Sequence, residues 1–400
     1  MSSGVTLSAA TRQNLLSLQD TAALTATTQN RLSTGRKVNS ALDNPLNYFT
    51  SLNLTGRSAD ISSLLDGISN GIQTIQAANQ GITSIKKLVD QAKSLASQAL
   101  ATQITTTGTG NTFSAGSSTA STTVTFYVNG TSTSATFNST STLTQVVSAL
   151  NSASNTANAG NIFTIDATGT KLVLNASADV EFASTSDQTA LGFTAGAGTG
   201  PVYGSASATA GTSSQITVSG VAQRASLAPQ YNNILTQITS MAGDSSFNGV
   251  NLIAGKKNDL TINFNPRGNS SISVASTDET ATGLGLSPII NSGGTSSTFG
   301  IGNFLLNTDI NATVKTLDAA SDQLKSDATT LGSNLSVVQN RQDFSKQLIN
   351  ILDTGAANLT NADMNEEAAN SQALSTRQSL GISALSLANT AQQSILQLLR

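Results

Sequence analysis

The chain has no cysteine, no histidine and no tryptophan, and only five prolines among its 400 residues. Without Cys or His there is no Cys/His catalytic pair, no imidazole base and no Cys/His metal site. Disulfides cannot staple the fold. Aromatic residues are 4% and charged residues 10% of the chain, with a net charge of −3. So few aromatics argue against one large core and for several thin or elongated modules. The absence of a basic excess denies a nucleic acid the face it needs. No apolar run is long enough to cross a bilayer, so no membrane insertion is expected. The N-terminus lacks a lysine-rich start followed by an apolar core, so no cleaved secretory signal is expected. A cytoplasmic protein and one exported by a signal-less route would share that blank.

What the chain has is sustained heptad spacing. From Ile61 to Ala99 one seam is Ile61, Ile68, Ile75, Ile82, Val89 and Ala96. A second, three residues on, is Leu64, Gly71, Ala78, Ile85, Ala92 and Ala99. This is an a/d pattern, β-branched at a and mostly small at d. As a helix it spans roughly 60 Å at 1.5 Å per residue. Its apolar stripe needs a partner of similar length. The same period returns at Ile310, Leu317, Leu324, Leu331, Val338, Leu352 and Leu359. A second row in the same seven-residue period is Val314, Ser321, Ala328, Leu335, Gln342, Ile349 and Ala356. Two such helices, one in each half, predict a chain that goes out and comes back as an antiparallel coiled-coil rod. Two unrelated core helices of separate domains are the alternative.

The remaining stretches fit around these helices. Leu7 to Leu32 is helix-compatible, with Leu15, Leu18 and Leu32 near one stripe and Gly35 as its C′ stop. Asp43-Asn44-Pro45 predicts a turn, Gly56 a break, and Ser58 the N-cap of the long helix. From Ser94 to Ile165, and again from Gln188 to Gln223, there is no charged residue at all. Low charge, with local patterning, argues against a simple disordered linker. Val124, Phe126 and Val128 alternate as a strand and end at Asn129-Gly130, a hairpin turn. Thr142 and Gln145 have capping-box spacing. Leu143, Val146, Val147 and Leu150 then follow the helical template. Phe163 and Ile165, then Leu172 and Leu174, read as further strands. The result is a small α/β module, with Gly192 to Gly220 as a loose exit.

A shorter helix is expected from Ser226 to about Met241, with Pro229 in its first turn. β-Hairpin material follows at Phe247–Ile253, at Leu260, Ile262 and Phe264, and at Ile272 and Val274. Thr308 or Asp309 can cap the return helix. The tail, 361–400, is helix-compatible, with Leu380, Ile382, Leu385, Leu387, Ile395, Leu396, Leu398 and Leu399 on several faces. Apolar residues around a helix need cover on most sides. A lone rod has nothing to cover its tip, which argues for assembly with neighbouring subunits. Membrane contact and a disordered free state are the alternatives. Asp166 and Asp179 are the carboxylates that could act as a pair, but they carry no catalytic motif; Glu366-Glu367 reads as a polar helix face. Gly283-Leu284-Gly285 lacks the strand and helix of a dinucleotide loop. No enzyme, cofactor or metal site is predicted.

Several segments resemble one known family. Arg31-Leu-Ser-Thr-Gly-Arg-Lys-Val-Asn-Ser-Ala41 is similar to the R-L-S-S/T-G-x-R/K-I/V-N-S-A of bacterial flagellins. Asp66-Gly-Ile-Ser-Asn-Gly-Ile-Gln-Thr-Ile-Gln76 resembles their DGISxxQ segment, and Phe247-Asn-Gly-Val250 their F-N-G hairpin. Val338-Gln-Asn-Arg341, Asn361-Ala-Asp363 and Leu398-Leu-Arg400 stand where flagellins carry I-Q-N-R, D-A-D and a terminal L-L-R. The resemblance covers roughly the first hundred residues and the last hundred and seventy.

The resemblance implies a structural subunit of the helical flagellar filament, extracellular and acting in motility. Segments 1–45 and 361–400 would pair in the inner tube, with Leu15, Leu18, Leu32, Leu385, Ile395, Leu396 and Leu399 making assembly contacts. Residues 46–103 and 222–360 would form the coiled-coil rod domain with its β-hairpins. Its seam would be Ile61, Ile68, Ile75, Ile82 and Val89 with Leu317, Leu324, Leu331 and Val338. Residues 104–221 would be a surface-exposed insertion, placed earlier than the family's usual outer domains. Leu143 to Phe193 resembles a small module of flagellar filament and hook-associated proteins. The resemblance further implies identical subunits, an export apparatus, a secretion chaperone and a filament cap as partners. O-linked glycans on the Ser/Thr-rich insertion are also implied. The segment that innate receptors read in many flagellins resembles Q-R-V-R-E-L-A-V-Q. Here it is Asp90-Gln-Ala-Lys-Ser-Leu-Ala-Ser-Gln98, altered at Gln91 and Ser94 and flanking Lys93 and Leu95, so weak or no recognition is expected. A hook–filament junction protein, or an exported adhesin displaying the insertion, are the alternative functions.

Overall fold

The computed structural model describes residues 9–113, 121–195, 213–255, 257–289, 304 and 306–398. In chain order, α1 (Ala9–Thr34) and α2 (Pro45–Ala101) come first. They lead to β1 (Thr105–Thr112), β2 (Thr122–Val128), β3 (Thr131–Phe137) and α3 (Leu143–Thr156). Next are β4 (Phe163–Ile165), β5 (Lys171–Ala176), β6 (Val180–Phe182), α4 (Thr185–Ala190) and β7 (Ile216–Ser219). Then follow α5 (Val221–Asp244), β8 (Ser246–Phe247), β9 (Val250–Asn251), β10 (Leu260–Asn263) and β11 (Ser271–Val274). The chain closes with α6 (Asn307–Thr360) and α7 (Met364–Leu398). The fold is mainly α, with antiparallel strands in a middle module. Two compact units divide it: Met1–Ser69, Ile262–Ile272 and Val338–Arg400 in one, Asn70–Thr261 and Ser273–Val337 in the other.

The heptad reading locates the buried face of both long helices. Ile61, Ile68, Ile75, Ile82, Val89 and Ala96 of α2 are all buried, as are Ala78, Ile85, Ala92 and Ala99 of its second seam. Leu64 is half-buried. On α6, Ile310, Leu317, Leu324, Leu331, Val338 and Leu352 are buried. Its second seam is only half-covered from Val314 to Ile349, and Ala356 is buried. In the terminal unit, Gln342 Nε2 donates to Ser69 Oγ (3.0 Å), and Gly355 lies against Leu54. Contacts that descend one helix while ascending the other mean the two segments run antiparallel. In the other unit, Lys93 and Asp318 form an ion pair between the same two helices.

Helix starts differ from the sequence reading in three places. Gly56 does not break the chain and Ser58 is not an N-cap. Helix α2 begins at Pro45, the N1 position that proline favours. Asn44 Oδ1 accepts the Asn47 amide (3.0 Å) as its cap. A helical glycine costs about 1 kcal/mol against alanine, less than the roughly 1.5–3 kcal/mol from burying each seam isoleucine. The shorter helix, α5, starts at Val221 rather than Ser226, so Pro229 lies inside it. Its stripe Val221, Leu227, Ala228, Tyr231, Leu235, Ile238 and Ala242 is buried, which offsets the lost backbone bond. Thr308 and Asp309 do not cap α6; they lie in its first turn, which starts at Asn307.

The insertion is a closed module. Its sheets are ordered β4-β5-β1-β7 and β3-β2-β6. Asn129 and Gly130 both have positive φ (48° and 80°), the type I′ geometry expected between β2 and β3. The Thr142/Gln145 capping box is present in both directions. Phe126, Phe163, Leu172, Leu174, Val180, Phe182 and Phe193 make the core, with Phe126 and Phe163 edge-to-face at 5.4 Å. The expected loose exit holds a strand: β7 pairs antiparallel with β1, Thr105 opposite Ser219. The stretch 196–212 lies outside the described residues. The incoming and outgoing strands are thus neighbours, so both ends of the module are pinned together.

Two features give testable consequences. Gly220 caps α5 at φ +87°, and a Cβ there would collide with the Gln103 carbonyl. Gly220→Ala therefore costs about 1–3 kcal/mol, read as a lowered urea midpoint. Glu279 is fully buried beside Asp327, and burial first, then the Asp327 carboxyl, pushes its pKa to about 8 from 4.5. The folded state then holds a proton that the unfolded chain loses above pH 4.5. Stability contributed by this group falls as pH rises from about 4.5 to about 8. Glu279→Gln, neutral at every pH, flattens that slope in denaturant melts taken across the window.

Candidate assembly interface

The two ends of the chain pack together. Arg31 Nη1 and Glu367 Oε1 pair at 3.1 Å. Ala362 N donates to Gly35 O, and Lys37 N to Thr360 O. A Cβ on Gly381 would sit 2.8 Å from Leu18 Cδ1. These contacts run in opposite directions along the two helices, so α1 and α7 are antiparallel. Gly35 ends α1 as expected, with φ +67° and its amide on the Arg31 carbonyl (2.8 Å). Asp363 caps α7 by accepting the Asn365 amide (2.9 Å).

The covered side of α1 is not its leucine stripe. Thr11, Thr21 and Thr28 are buried, and the Thr21 hydroxyl is satisfied on Ser17 O at 2.7 Å. Small side chains such as these let two helices approach closely. The sequence reading missed them because threonine carries no apolar signal. Leu15 is exposed, and Leu18, Leu32 and Leu385 are half-buried. The side chains of Ile395 and Leu396, and Leu399 altogether, lie outside the described residues. Leu16, Leu24, Leu380, Ile382 and Leu387 also face solvent, Leu387 at 73%. The paired ends therefore present apolar side chains that the chain itself does not cover.

A second exposed set was not singled out in the sequence. Leu42 is 96% exposed and Leu46 75%, with Phe49 and Leu52 following on α2. On α6, Val337, Phe344 and Ile351 recur every seven residues, one position before the buried Val338, Ser345 and Leu352. The spacing was readable; the phase that turns Phe344 outward while burying Ser345 was not. In the altered receptor segment, Gln91 and Ser94 are exposed, and Lys93 and Leu95 half-buried.

The acidic candidates sit in different surroundings. Asp166 accepts the Thr170 and Lys171 amides, and the Thr168 hydroxyl first among its bonds holds its pKa down near about 2. Asp179 is buried, and burial first, then the neighbouring Glu181, raises its pKa to about 8. Glu366 is exposed, while Glu367 pairs with Arg31. Among the described residues no cluster of three or more acidic residues is placed to hold a metal. None of the described helices is long and apolar enough to cross a membrane.

Known proteins match at both ends. Residues 5–115 match the bacterial flagellin N-terminal helical region, and residues 314–399 the bacterial flagellin C-terminal helical region. Flagellin FljM of Caulobacter vibrioides is 32% identical over 174 residues, covering 44% of this chain and 59% of that protein. A flagellin of Brucella melitensis is 30% identical over 177 residues, covering 43% and 60%. Flagellin C of Rhizobium meliloti is 40% identical over 85 residues, covering 21% and 26%. The matched stretch spans about three-fifths of the Caulobacter and Brucella relatives. With that family's two terminal helical regions at its two ends, this chain belongs to the bacterial flagellins.

Proposed function

We propose that the chain is a structural subunit that polymerises into the helical flagellar filament. The observation that carries this is the match of both chain ends to flagellin terminal regions. The paired α1 and α7 also carry leucines in solvent that a neighbouring subunit would cover. In this reading 1–45 and 361–400 form the inner tube, 46–103 and 222–360 the rod domain, and 104–221 the outer module. Leu15, Leu18, Leu32, Leu385, Ile395, Leu396 and Leu399 are the assembly contacts. Contacts between unlike surfaces of identical subunits build a helix where their rotation does not close into a ring. Heptad seams stiffen each subunit.

The remaining roles follow the family. Export by the flagellar secretion apparatus, a chaperone, a filament cap and an extracellular location complete the reading. Serine and threonine in the insertion offer hydroxyls for O-linked glycans, which would appear as excess mass on intact native subunits.

Seeded polymerisation tests the function. Dissociated monomer given short filament fragments should grow long filaments by sedimentation and negative-stain imaging. A chain lacking 361–400 should grow none. A full chain that stays monomeric with seeds would return the hook–filament junction and adhesin readings. The receptor segment makes a separate prediction. Its exposed Gln91 and Ser94 replace an arginine and a glutamate, so innate-receptor signalling should fall well below that of a strongly stimulating flagellin. An equal response at equal monomer concentration would reject it.

A further inference from the structure

A small groove lies in the terminal unit between α2, α6 and the loop joining β10 to β11. Ile61, Phe264, Phe344 and Leu348 form its apolar walls, with Arg57 and Arg341 also lining it. The Arg341 guanidinium lies 5.6 Å from the centre of the Phe264 ring. Its volume is about 240 Å³, below the roughly 300–1,000 Å³ of small-molecule sites. It is the size for side chains.

The same unit carries a knob that suits it. Leu42 stands almost wholly in solvent, followed by Leu46 and Phe49. The turn that presents Leu42 is held by Asp43, whose Oδ2 accepts the Asn39 and Ser40 amides at 3.0 and 2.9 Å. Asp43 is the only charged residue between Val38 and Gly56. The knob is apolar with one carboxylate; the groove is apolar with two guanidiniums.

The knob cannot reach the groove of its own chain. Leu46 and Arg57 sit on one continuous helix, eleven residues apart, so roughly 16 Å of helix at 1.5 Å per residue separates them. Leu42 precedes the start of that helix, and a hydrogen-bonded helix does not fold back on itself. A knob that fills this groove therefore comes from another copy.

We propose that the Leu42–Leu46 knob of one copy docks in the Phe264/Phe344 groove of the next, with Asp43 meeting Arg57 and Arg341. The proposal rests on the filament reading and adds a contact outside the terminal helix pair. Knob and groove are different surfaces of one chain, so the contact is heterologous and propagates. Charge complementarity sets its register.

The absence of native cysteine makes the test clean. In the full chain, Leu42→Cys and Phe344→Cys together should give a ladder of disulfide-linked oligomers when seeded polymer is oxidised. Mixing the two single variants should give linked dimers only, and each variant alone should give none. Ser270→Cys, also on the groove, is a second acceptor should Phe344→Cys lower the helical circular dichroism. Leu42→Ser with Leu46→Ser should slow seeded elongation roughly tenfold, the loss expected of a buried anchor. Filaments that form without the cross-link, or that link Leu42→Cys only to itself, overturn the docking and leave the filament reading intact. Unsubstituted chain that does not grow on seeds defeats both.

Discussion

Burial of one apolar stripe governs this molecule. A helix carrying Ile61, Ile68, Ile75, Ile82 and Val89 along one face exposes too much apolar surface to stand alone. The return helix carries its own stripe of Leu317, Leu324, Leu331 and Val338, and all of these side chains are buried as well. With 10% charged residues there are few ion pairs to help, and exposed pairs are worth only about 0–1 kcal/mol each. Lys86–Asp90, Lys93–Asp318 and Lys325–Asp322 are exposed pairs of this kind. Packing therefore carries the stability, and it overrides local signals. Gly56 remains helical and Pro229 sits inside α5 because the faces around them are already buried.

The insertion follows a different logic. Its strands are short and built largely from Ser, Thr and Gly, yet Phe126, Phe163, Phe182 and Phe193 gather in one core. Aromatics are scarce in the chain, and half of its phenylalanines lie in this core or against it. Pairing of β1 with β7 brings the ends of the module side by side, so a module can be inserted at low cost to the helices that flank it.

The chain ends reverse the usual distribution of apolar residues. Between α1 and α7 the covered residues include Thr21 and Thr28, while Leu16, Leu24, Leu380 and Leu387 face solvent. Ser345 is buried while Phe344 is out. A monomer gains nothing from this arrangement. In the proposed filament, neighbouring copies would cover these side chains.

The sequence by itself determined several elements whose signal is local. The heptad spacing, the Gly35 stop, the Asn129-Gly130 and Asn248-Gly249 turns and the Thr142 capping box depend on spacing or on φ at neighbouring positions in the chain. The family motifs were legible for the same reason. Other features depended on contacts distant in sequence. β1 is a Thr/Gly run with no apolar alternation, and it is a strand because β5 and β7 flank it. Helix α2 starts at Pro45 because its buried face outweighs Gly56. Which leucines are covered, and which form a knob beside Asp43, was decided by helix phase and partner. Residue type fixes what a side chain prefers; only tertiary packing decides which preferences are met.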